Sequence, residues 1–374
     1  MNEQELLYTI TLTRLGALSS SALNYLLDTM GSATAVYEQR HDIRQALPAA
    51  SQNCREAIAS MGDHLQRAEQ ELAFAHKGQI QCISRLSSQY PTRLLQCDDA
   101  PALLYYRGSA SLNNAHIISI VGTRQCTEYG KDLCRQFTAE LHQLLPDALV
   151  VSGLAYGIDI NAHRQALQNG LPTVGVLAHG LDQIYPQAHR DTAIQMLQQG
   201  GLLTEYPSGT AIDKRNFVAR NRIVAGMADA TIVVESASKG GSLITAGMAC
   251  DYGRSVFAFP GRLRDQYSAG CNKIIRSQQA TLITSAQDLL DDMGWQSQQS
   301  QQAQRQEPIQ RQLFVELSAE EQLIVQALQN SDGKHLDTIA AETQLPAGHL
   351  SGLLFNLEMK GIVKMMVGNQ YRLL

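Results

Sequence analysis

The chain has 374 residues, 44% of them hydrophobic and 17% charged, and this composition predicts a globular protein of two or three domains. Its formal net charge of −5 argues against a globally basic nucleic-acid-binding protein, so a polyanion would have to be held by a local cationic patch. No apolar run approaches the about 20 residues that span a bilayer, and no cationic leader-like segment begins the sequence. We therefore expect a cytoplasmic protein with no membrane partner.

Residues 1–85 show the spacing of short amphipathic helices, as in "EQELLYTITLTRL" and "SSSALNYLLDTM". This pattern predicts an N-terminal helical domain, which we assign to a SAM-like class. Because its cations are scattered, a packing or protein-contact role is favoured over direct contact with DNA.

From about residue 116 to 292, short apolar runs alternate with helix-compatible stretches. Continuous apolar runs of this length are typical of parallel strands with both sheet faces buried, so the fold class is α/β. Ligands of such sheets bind outside the carboxyl ends of the strands. The seven predicted strands lie in "HIISIV", "ALVVS", "TVGVLA", "GLLTEY", "ATIVVE", "SVFAFP" and "ATLIT".

The segment 295–315 is predicted to be a flexible linker, because nine of the seventeen residues from 296 to 312 are glutamine. Residues 316–374 then show three helices and a hairpin around Gly368 and Asn369, which predicts a winged-helix-like domain. Its third helix is accompanied only by Lys360 and His349, which is poor equipment for phosphate binding. A protein-contact role is therefore favoured over DNA reading.

Two loops at the predicted carboxyl edge have the composition of phosphate-binding turns. Gly122 and Arg124 follow the first strand, and Ser152 with Gly153 follows the second. Arg124 could hold a phosphate in bidentate fashion, although a surface arginine after a tight turn is the alternative. Asp159 and His163, four residues apart, are interpreted as a helix cap and a buried hydrogen-bonded histidine rather than as metal ligands.

The segment "DKRNFVARNRIVAG" carries four cations in nine positions: Lys214, Arg215, Arg220 and Arg222. On a helix, Phe217, Arg220 and Asn221 share one face, so an aromatic ring would lie beside a guanidinium. Aromatic rings beside cations are typical of single-stranded nucleic-acid binding, because the charges follow phosphates while a ring stacks on a base. The alternative places Phe217 in the core and the cations on a solvated helix face.

The loop "SASKGGSLITAGMA" supplies a further predicted anion nest. Its candidate binding residues are Lys239, Gly240, Gly241, Ser242 and Thr245. The sequence contains neither GxxxxGK[ST] nor GxGxxG after a strand, and no catalytic triad is marked. The seven cysteines are scattered without metal-like spacing. We therefore expect no cofactor, no metal and no enzymatic activity.

The motifs "IVGTRQCTEYG", "SGLAYGIDINAHRQAL", "GLLTEYPSG", "FVARNRIVAGMADATIVVESASKGGSLITAGMA" and "PGRL…GCNKII" together resemble the DprA (Smf) family of DNA-processing proteins. The resemblance is close over about 88–292 and implies an extended Rossmann-like domain, which we place at 86–294. It implies binding of single-stranded DNA, protection of the incoming strand during natural transformation, loading of RecA recombinase, and dimerisation through this domain. Cys271 stands where a serine is commoner in the family.

The resemblance maps the strand-binding pocket onto Arg124, Lys214 and Phe217, with Asn221 and the loop 239–242 beside them. The main alternative is a Rossmann-like protein that binds nucleotides or hydrolyses nucleoside monophosphates. Such relatives need a glutamate in a PGG-type loop, whereas this chain has "ESASKGGS" with Glu235 at the strand end. A transcription regulator that uses the winged helix is disfavoured by the weak charge of that domain.

Overall fold

A computed structural model describes residues 2–46, 48, 50–296, 317–329, 333–366 and 370–373. The chain divides into two compact units, Met1–Ser300 and Gln301–Leu374, which are described separately. Most of the predicted linker and the predicted Gly368–Asn369 turn lie outside the described residues. Within the described ranges, no helix is long and apolar enough to cross a membrane.

The first unit begins with helices, as the amphipathic pattern predicted. They pack around apolar residues such as Leu12, Leu27 and Ile58, all fully buried. Ser19 caps the second helix, because its hydroxyl accepts the backbone N–H of Ala22 at 3.2 Å. The helices are α1 Glu3–Thr13, α2 Ser20–Met30, α3 Ala33–Glu38, α4 Ile43–Ala46, α5 Gln52–Ala59 and α6 Leu65–Lys77.

A nine-stranded sheet forms the centre of this unit in the part of the chain that the structure describes. The seven predicted strands are confirmed as β3–β9, and they run parallel to one another. Two further strands, β1 and β2, extend the sheet by antiparallel pairing. The spatial order is β1-β2-β6-β5-β4-β3-β7-β8-β9. The strands are β1 Gln81–Ser84, β2 Leu103–Gly108, β3 Ile117–Val121, β4 Leu149–Ser152, β5 Thr173–Val176, β6 Gly200–Thr204, β7 Ala230–Val233, β8 Ser255–Ala258 and β9 Thr281–Leu282.

Helices cover both faces of the sheet. Alternate residues of β3 enter different core clusters, with Ile117 and Val121 in one and Ile118 and Ile120 in the other. Two buried faces explain why the strands are continuous apolar runs in the sequence. The helices are α7 Thr92–Leu95, α8 Glu128–Leu144, α9 Ile158–Asn169, α10 Arg190–Gln199, α11 Lys214–Met227, α12 Gly241–Asp251, α13 Ala269–Arg276 and α14 Ala286–Met293.

The second unit is the predicted winged helix. Three helices, α15 Ala319–Leu328, α16 Leu336–Thr343 and α17 Ala347–Met359, pack around a small apolar core. The strands that accompany them, in the order β10-β12-β11, are β10 Lys334–His335, β11 Val363–Met366 and β12 Gln370–Leu373.

Candidate nucleic-acid interface

A cavity of about 250 Å³ opens at the carboxyl ends of β3, β4 and β7. This is the edge at which an open α/β sheet binds its ligand. Four segments that are distant in sequence meet there: the loops after β3 and β4, the first half of α11, and the start of α12. Ten of the predicted site residues line the cavity: Gly122, Arg124, Gly153, Phe217, Arg220, Asn221, Gly240, Gly241, Ser242 and Thr245.

Glycines allow these segments to approach one another closely. Gly157, which holds the N-terminal capping position of α9, has φ of 80°, a conformation that L side chains rarely adopt. A side-chain carbon built on Gly153 would lie 2.5 Å from Nη2 of Arg220 and 2.7 Å from Oδ2 of Asp159. A larger residue at Gly153 would displace the side chain of Arg220 or Asp159, so glycine lets the backbone after β4 line the cavity.

Phe217 lies in the wall of the cavity and is half-buried. The guanidinium carbon of Arg124 is 5.5 Å from the centroid of its ring, and that of Arg220 is 6.0 Å away. Both distances are within the range of a cation–π interaction. The ring of Tyr185 contacts Phe217 edge to face, with centroids 5.7 Å apart and planes inclined by 67°. The structure therefore places Phe217 beside cations at an open edge rather than in the apolar core.

Arg220 is buried beneath this wall, with 3% of its surface exposed. Its Nη1 donates hydrogen bonds to the carbonyl of Gly153, at 2.8 Å, and to that of Val176. Desolvation lowers the pKa of Arg220 to about 10, while the carboxylate of Asp159 acts in the opposite direction. Arg220 therefore joins the ends of β4 and β5 as a buried cation in the cavity lining, and its predicted contact with DNA stays a prediction.

Arg222 points away from the cavity. It is 9% exposed, forms an ion pair with Glu205 at 2.5 Å and donates to the carbonyl of Asp99. Burial raises the pKa of the Glu205 carboxyl above its ordinary value, although the neighbouring Arg222 opposes this shift. Residues two apart on a helix point roughly 200° apart, so Arg220 and Arg222 face opposite sides of α11. Arg222 is a structural residue here, which corrects its predicted place among the DNA ligands.

Lys214 and Arg215 are exposed in the first turn of α11. Arg215 pairs with the helix-capping Asp213 at 2.7 Å, and these hydrogen bonds lower the pKa of Asp213 to about 2. Lys214 has no ion-pair partner within the described residues and precedes Phe217 by one turn, on the same face of α11. The four cations of the predicted patch thus divide into two exposed and two buried side chains.

The remaining predicted residues differ in their exposure and in their contacts. Lys239 is exposed on the loop before α12, outside the cavity lining. Ser242 is 6% exposed, and its hydroxyl donates to that of Ser236 at 2.9 Å. Ser152 is fully buried and donates to the carbonyl of Ile120 at 2.6 Å, so its hydroxyl stabilises the sheet. This corrects the prediction that Ser152 contributes to a phosphate-binding turn.

The interpretation of His163 as a buried hydrogen-bonded histidine is confirmed. Its Nδ1 lies 2.7 Å from the hydroxyl of Thr173, and burial lowers its pKa to about 3. Asp159 does not cap α9, because Gly157 holds the capping position; its carboxylate accepts the N–H of Gly153 at 3.2 Å instead. Among the described residues, no group of three or more His, Cys, Asp or Glu side chains could hold a metal ion.

Sequence reasoning missed Tyr185, which is 42% exposed and contacts Phe217. It lies in the loop that follows β5, and its backbone N–H donates to Nε2 of His179 at 3.3 Å. The available signal was a tyrosine in a loop after a parallel strand, which places it at the same edge of the sheet as the cavity.

Glu235, at the end of β7, holds the residue that caps α8. Its carboxylate accepts the backbone N–H of Thr127 at 2.9 Å and the Thr127 hydroxyl at 2.5 Å. Thr127 in turn caps α8 through a hydrogen bond from the N–H of Gly130. Glu235 is 2% exposed and does not belong to the cavity lining that the structure describes.

The fold and this cavity define a Rossmann-like α/β protein with a separate winged-helix unit, whose sheet edge combines cations, an aromatic wall and glycine-rich turns. Comparison with known families agrees. The family described as DNA recombination-mediator protein A matches residues 81–294, and the DprA winged helix domain matches residues 308–369. The chain therefore belongs to the DprA family.

Curated relatives have similar sequences. The DNA processing protein DprA of Streptococcus pneumoniae is 40% identical over 207 residues, which is 55% of this chain and 72% of that protein. The protein of the same name from Bacillus subtilis is 40% identical over 222 residues, covering 59% of this chain and 73% of the relative. Protein Smf of Escherichia coli is 33% identical over 267 residues, 71% of each chain.

Two solved structures of DprA proteins have similar folds. The X-ray structure from S. pneumoniae has a TM-score of 0.66 and 32% identity, covering 75% of this chain and 95% of that one. The structure from Helicobacter pylori has a TM-score of 0.52 and 30% identity, covering 57% of this chain and 95% of that one. That structure is described as showing the single-stranded DNA binding mode of the H. pylori protein.

Proposed function

We propose that this protein binds single-stranded DNA at the cavity of its Rossmann-like domain and acts in DNA processing during natural transformation. It protects the incoming strand and assists the loading of RecA recombinase, as a homodimer formed through the same domain. It holds DNA without catalysing a reaction. The observation that carries the proposal is the position of Phe217, which lies beside the exposed Arg124 at the mouth of a glycine-lined cavity.

Each component of the site suits a different part of a DNA strand. Arg124 and Lys214 are exposed and form no ion pair within the described ranges, so their charges are available to phosphates. Phe217 offers a ring for base stacking, which contributes about 1–3 kcal/mol per base and does not depend strongly on base identity. A single strand can present phosphates and unstacked bases together, whereas a duplex buries its base faces.

The family context supports the partners in this proposal. The matched family is described as a recombination mediator, and the H. pylori relative is described as a single-stranded DNA-binding protein. These descriptions support a role in which the protein binds the strand and assists the loading of a recombinase of the RecA class onto it. The resemblance to the family implies a dimer formed through the Rossmann-like domain, and this dimer is part of the proposal.

The alternative, hydrolysis of nucleoside monophosphates, lacks a free carboxylate at the position the sequence offered for it. Both oxygens of Glu235 already accept hydrogen bonds from Thr127. Asp159 lines the cavity, but it is 9% exposed, and burial raises the pKa of its carboxyl. We therefore place this alternative second.

Direct binding and loading assays test the proposal. Fluorescence anisotropy should show that the full chain binds labelled oligothymidine much more tightly than a duplex of equal length. The bound strand should also resist nuclease digestion and accept RecA faster than the free strand. Equal affinity for duplex, or release of free base from a nucleotide incubated with the protein, would contradict the proposal.

A further inference from the structure

The loop between β8 and α13 presents two exposed arginines around an exposed leucine: Arg262, Leu263 and Arg264. Leu263 has 92% of its surface exposed. The N–H of Asp265 donates to the carbonyl of Arg262 at 3.1 Å, which closes a tight turn with Leu263 and Arg264 at its tip. This turn, residues 262–264, is called the basic tip below.

Hydrogen bonds hold both ends of the loop to neighbouring segments of the α/β unit. The hydroxyl of Tyr129 donates to the carbonyl of Pro260 at 2.7 Å. The hydroxyl of Tyr267 donates to the side chain of Gln125, the neighbour of Arg124 in sequence. In addition, the N–H of Ser236 donates to the carbonyl of Tyr267 at 2.6 Å. The basic tip is therefore carried on the same scaffold as the cavity.

The charges of the basic tip are available for an external ligand. In the part of the chain that the structure describes, neither Arg262 nor Arg264 has an ion pair or a side-chain hydrogen bond, and the nearest carboxylate in sequence, Asp265, is exposed. By contrast, Arg93 and Arg222 are held by carboxylates of the fold. Two unpaired guanidinium groups beside an apolar side chain are suited to a polyanion that also has apolar surfaces.

The sheet topology places the basic tip on the line of the cavity. The order β4-β3-β7-β8 puts the loop after β8 two strands from the loop that carries Arg124. Neighbouring strands are about 4.8 Å apart, so the two loops begin about 10 Å apart along the edge. At a rise of about 3.4 Å per nucleotide, a strand covers that distance in about three nucleotides.

We propose that the basic tip is a second contact for the same DNA strand, outside the cavity. Arg262 and Arg264 bind phosphates, and Leu263 packs against a base that is unstacked from its neighbours. Apolar side chains inserted beside bases in this way are used by other DNA-binding proteins. The inference rests on the proposed binding of single-stranded DNA and adds direction to it: the strand runs from the cavity across β7 towards β8.

Oligonucleotides of two lengths separate the two contacts. One labelled oligothymidine of about 2 nucleotides is too short to join the cavity to the basic tip, and one of about 20 nucleotides reaches both. The double variant Arg262→Ala/Arg264→Ala should bind the long strand about five-fold more weakly and the short strand with unchanged affinity. The magnitude of its salt slope on the long strand should fall by about 1.4, since two phosphate contacts are lost.

Two further variants serve as controls in the same experiment. Arg44→Ala/Lys77→Ala removes the same charge from exposed positions of the N-terminal helices and should leave both affinities unchanged. Leu263→Ser keeps the charge and should weaken binding of the long strand without changing the salt slope. Because Leu263 is almost fully exposed, this change does not disturb the core.

The outcomes distinguish the two proposals. If the wild type binds the strand and the basic-tip variants match the control on both lengths, the basic tip is not a DNA contact. Equal losses on short and long strands would also overturn its position outside the cavity. Unchanged DNA binding together with lost stimulation of a recombinase would assign the basic tip to a protein partner instead. If the wild type binds neither the short nor the long strand, the proposed function is wrong and the inference is wrong with it.

Discussion

The carboxyl edge of the sheet and the winged helix are both structures that can bind nucleic acid, but they differ in how many of their cationic side chains form ion pairs. At the sheet edge, Arg124 and Lys214 are exposed without an ion pair within the described ranges. In the winged helix, Lys334 pairs with Glu342 at 2.6 Å and Lys360 pairs with Glu321 at 2.7 Å, so that among its described residues only Lys364 and Arg372, on β11 and β12, are exposed without an ion pair. The availability of cations, rather than the fold class, is therefore the better guide to a phosphate-binding surface.

The third helix of the winged helix, α17, would be the reading helix of a DNA-binding domain, but it carries no lysine or arginine. Its exposed side chains include Phe355, at 62% exposure, and Met359, at 74%. These residues are four apart and share one face of the helix. This arrangement agrees with the predicted protein-contact role, which stays a prediction.

The largest expected effect concerns the buried cation in the cavity lining. Arg220→Met leaves the carbonyls of Gly153 and Val176 and the carboxylate of Asp159 without their cation, so we expect the free energy of unfolding to fall by about 3 kcal/mol. Chemical denaturation of the α/β unit measures this loss. The matched control, Arg215→Ala, removes an exposed cation of the same helix and should cause no measurable change. Similar curves for the two variants would contradict the structural role of Arg220.

A second prediction concerns acid stability. Burial, followed by the charge of Arg220, lowers the pKa of His163 to about 3, whereas the unfolded chain takes up this proton near the ordinary value of 6.5. The contribution of neutral His163 to the free energy of unfolding is therefore fully present above about pH 6.5 and is lost as the pH falls towards 3. By pH 5 this loss should lower the free energy of unfolding by about 2 kcal/mol. Urea denaturation from pH 7 to pH 5 tests this.

The variant His163→Gln provides the comparison for that measurement. It removes the titrating ring, so its stability should depend less steeply on pH than that of the wild type over the same interval. Parallel pH profiles for the two proteins would show that His163 is not protonated on unfolding in this range.

A third prediction concerns the aromatic wall. Phe217→Ala should weaken binding of oligothymidine about ten-fold, because one stacked base contributes about 1–3 kcal/mol. Phe217→Tyr keeps the ring and should retain most of the affinity. Anisotropy titrations of both variants decide the point, and equal losses in the two would argue against stacking as the cause.

The smallest expected effect lies in the winged helix. Lys364 and Arg372 face each other across β11 and β12, which makes them a matched pair of exposed cations. Lys364→Ala/Arg372→Ala should change the affinity for single-stranded DNA less than about two-fold, because α17 supplies no further cation to hold a phosphate backbone. A large loss in this double variant would move part of the binding surface to the winged helix.

Sequence patterns predicted the parallel strands and the edge at which the cavity lies, because buried strands are recorded in local apolar runs. They did not predict that the four cations of α11 would separate into Lys214 and Arg215 outside and Arg220 and Arg222 inside. The sequence presents the four as one cluster, and only packing against Gly153 and Glu205 decides which are buried.

Features that depend on distant segments were also missed. Tyr185 meets Phe217 from a loop 32 residues earlier in the chain, so no local pattern joins them. The strand β1, Gln81–Ser84, lies inside the region predicted as helical, because it follows α6 closely and pairs with β2 some twenty residues later. Its place in the sheet puts the start of the sheet before the predicted boundary at residue 86.

The most direct test of the account is the salt dependence of strand binding by the Arg124→Ala/Lys214→Ala variant. Anisotropy titrations of labelled oligothymidine would be compared across a salt series with the wild type and the Lys364→Ala/Arg372→Ala control. We predict a large loss of affinity, with a salt slope smaller by about 1.4, only in the Arg124/Lys214 variant. An unchanged slope and affinity in that variant would show that the cavity edge does not hold the DNA backbone.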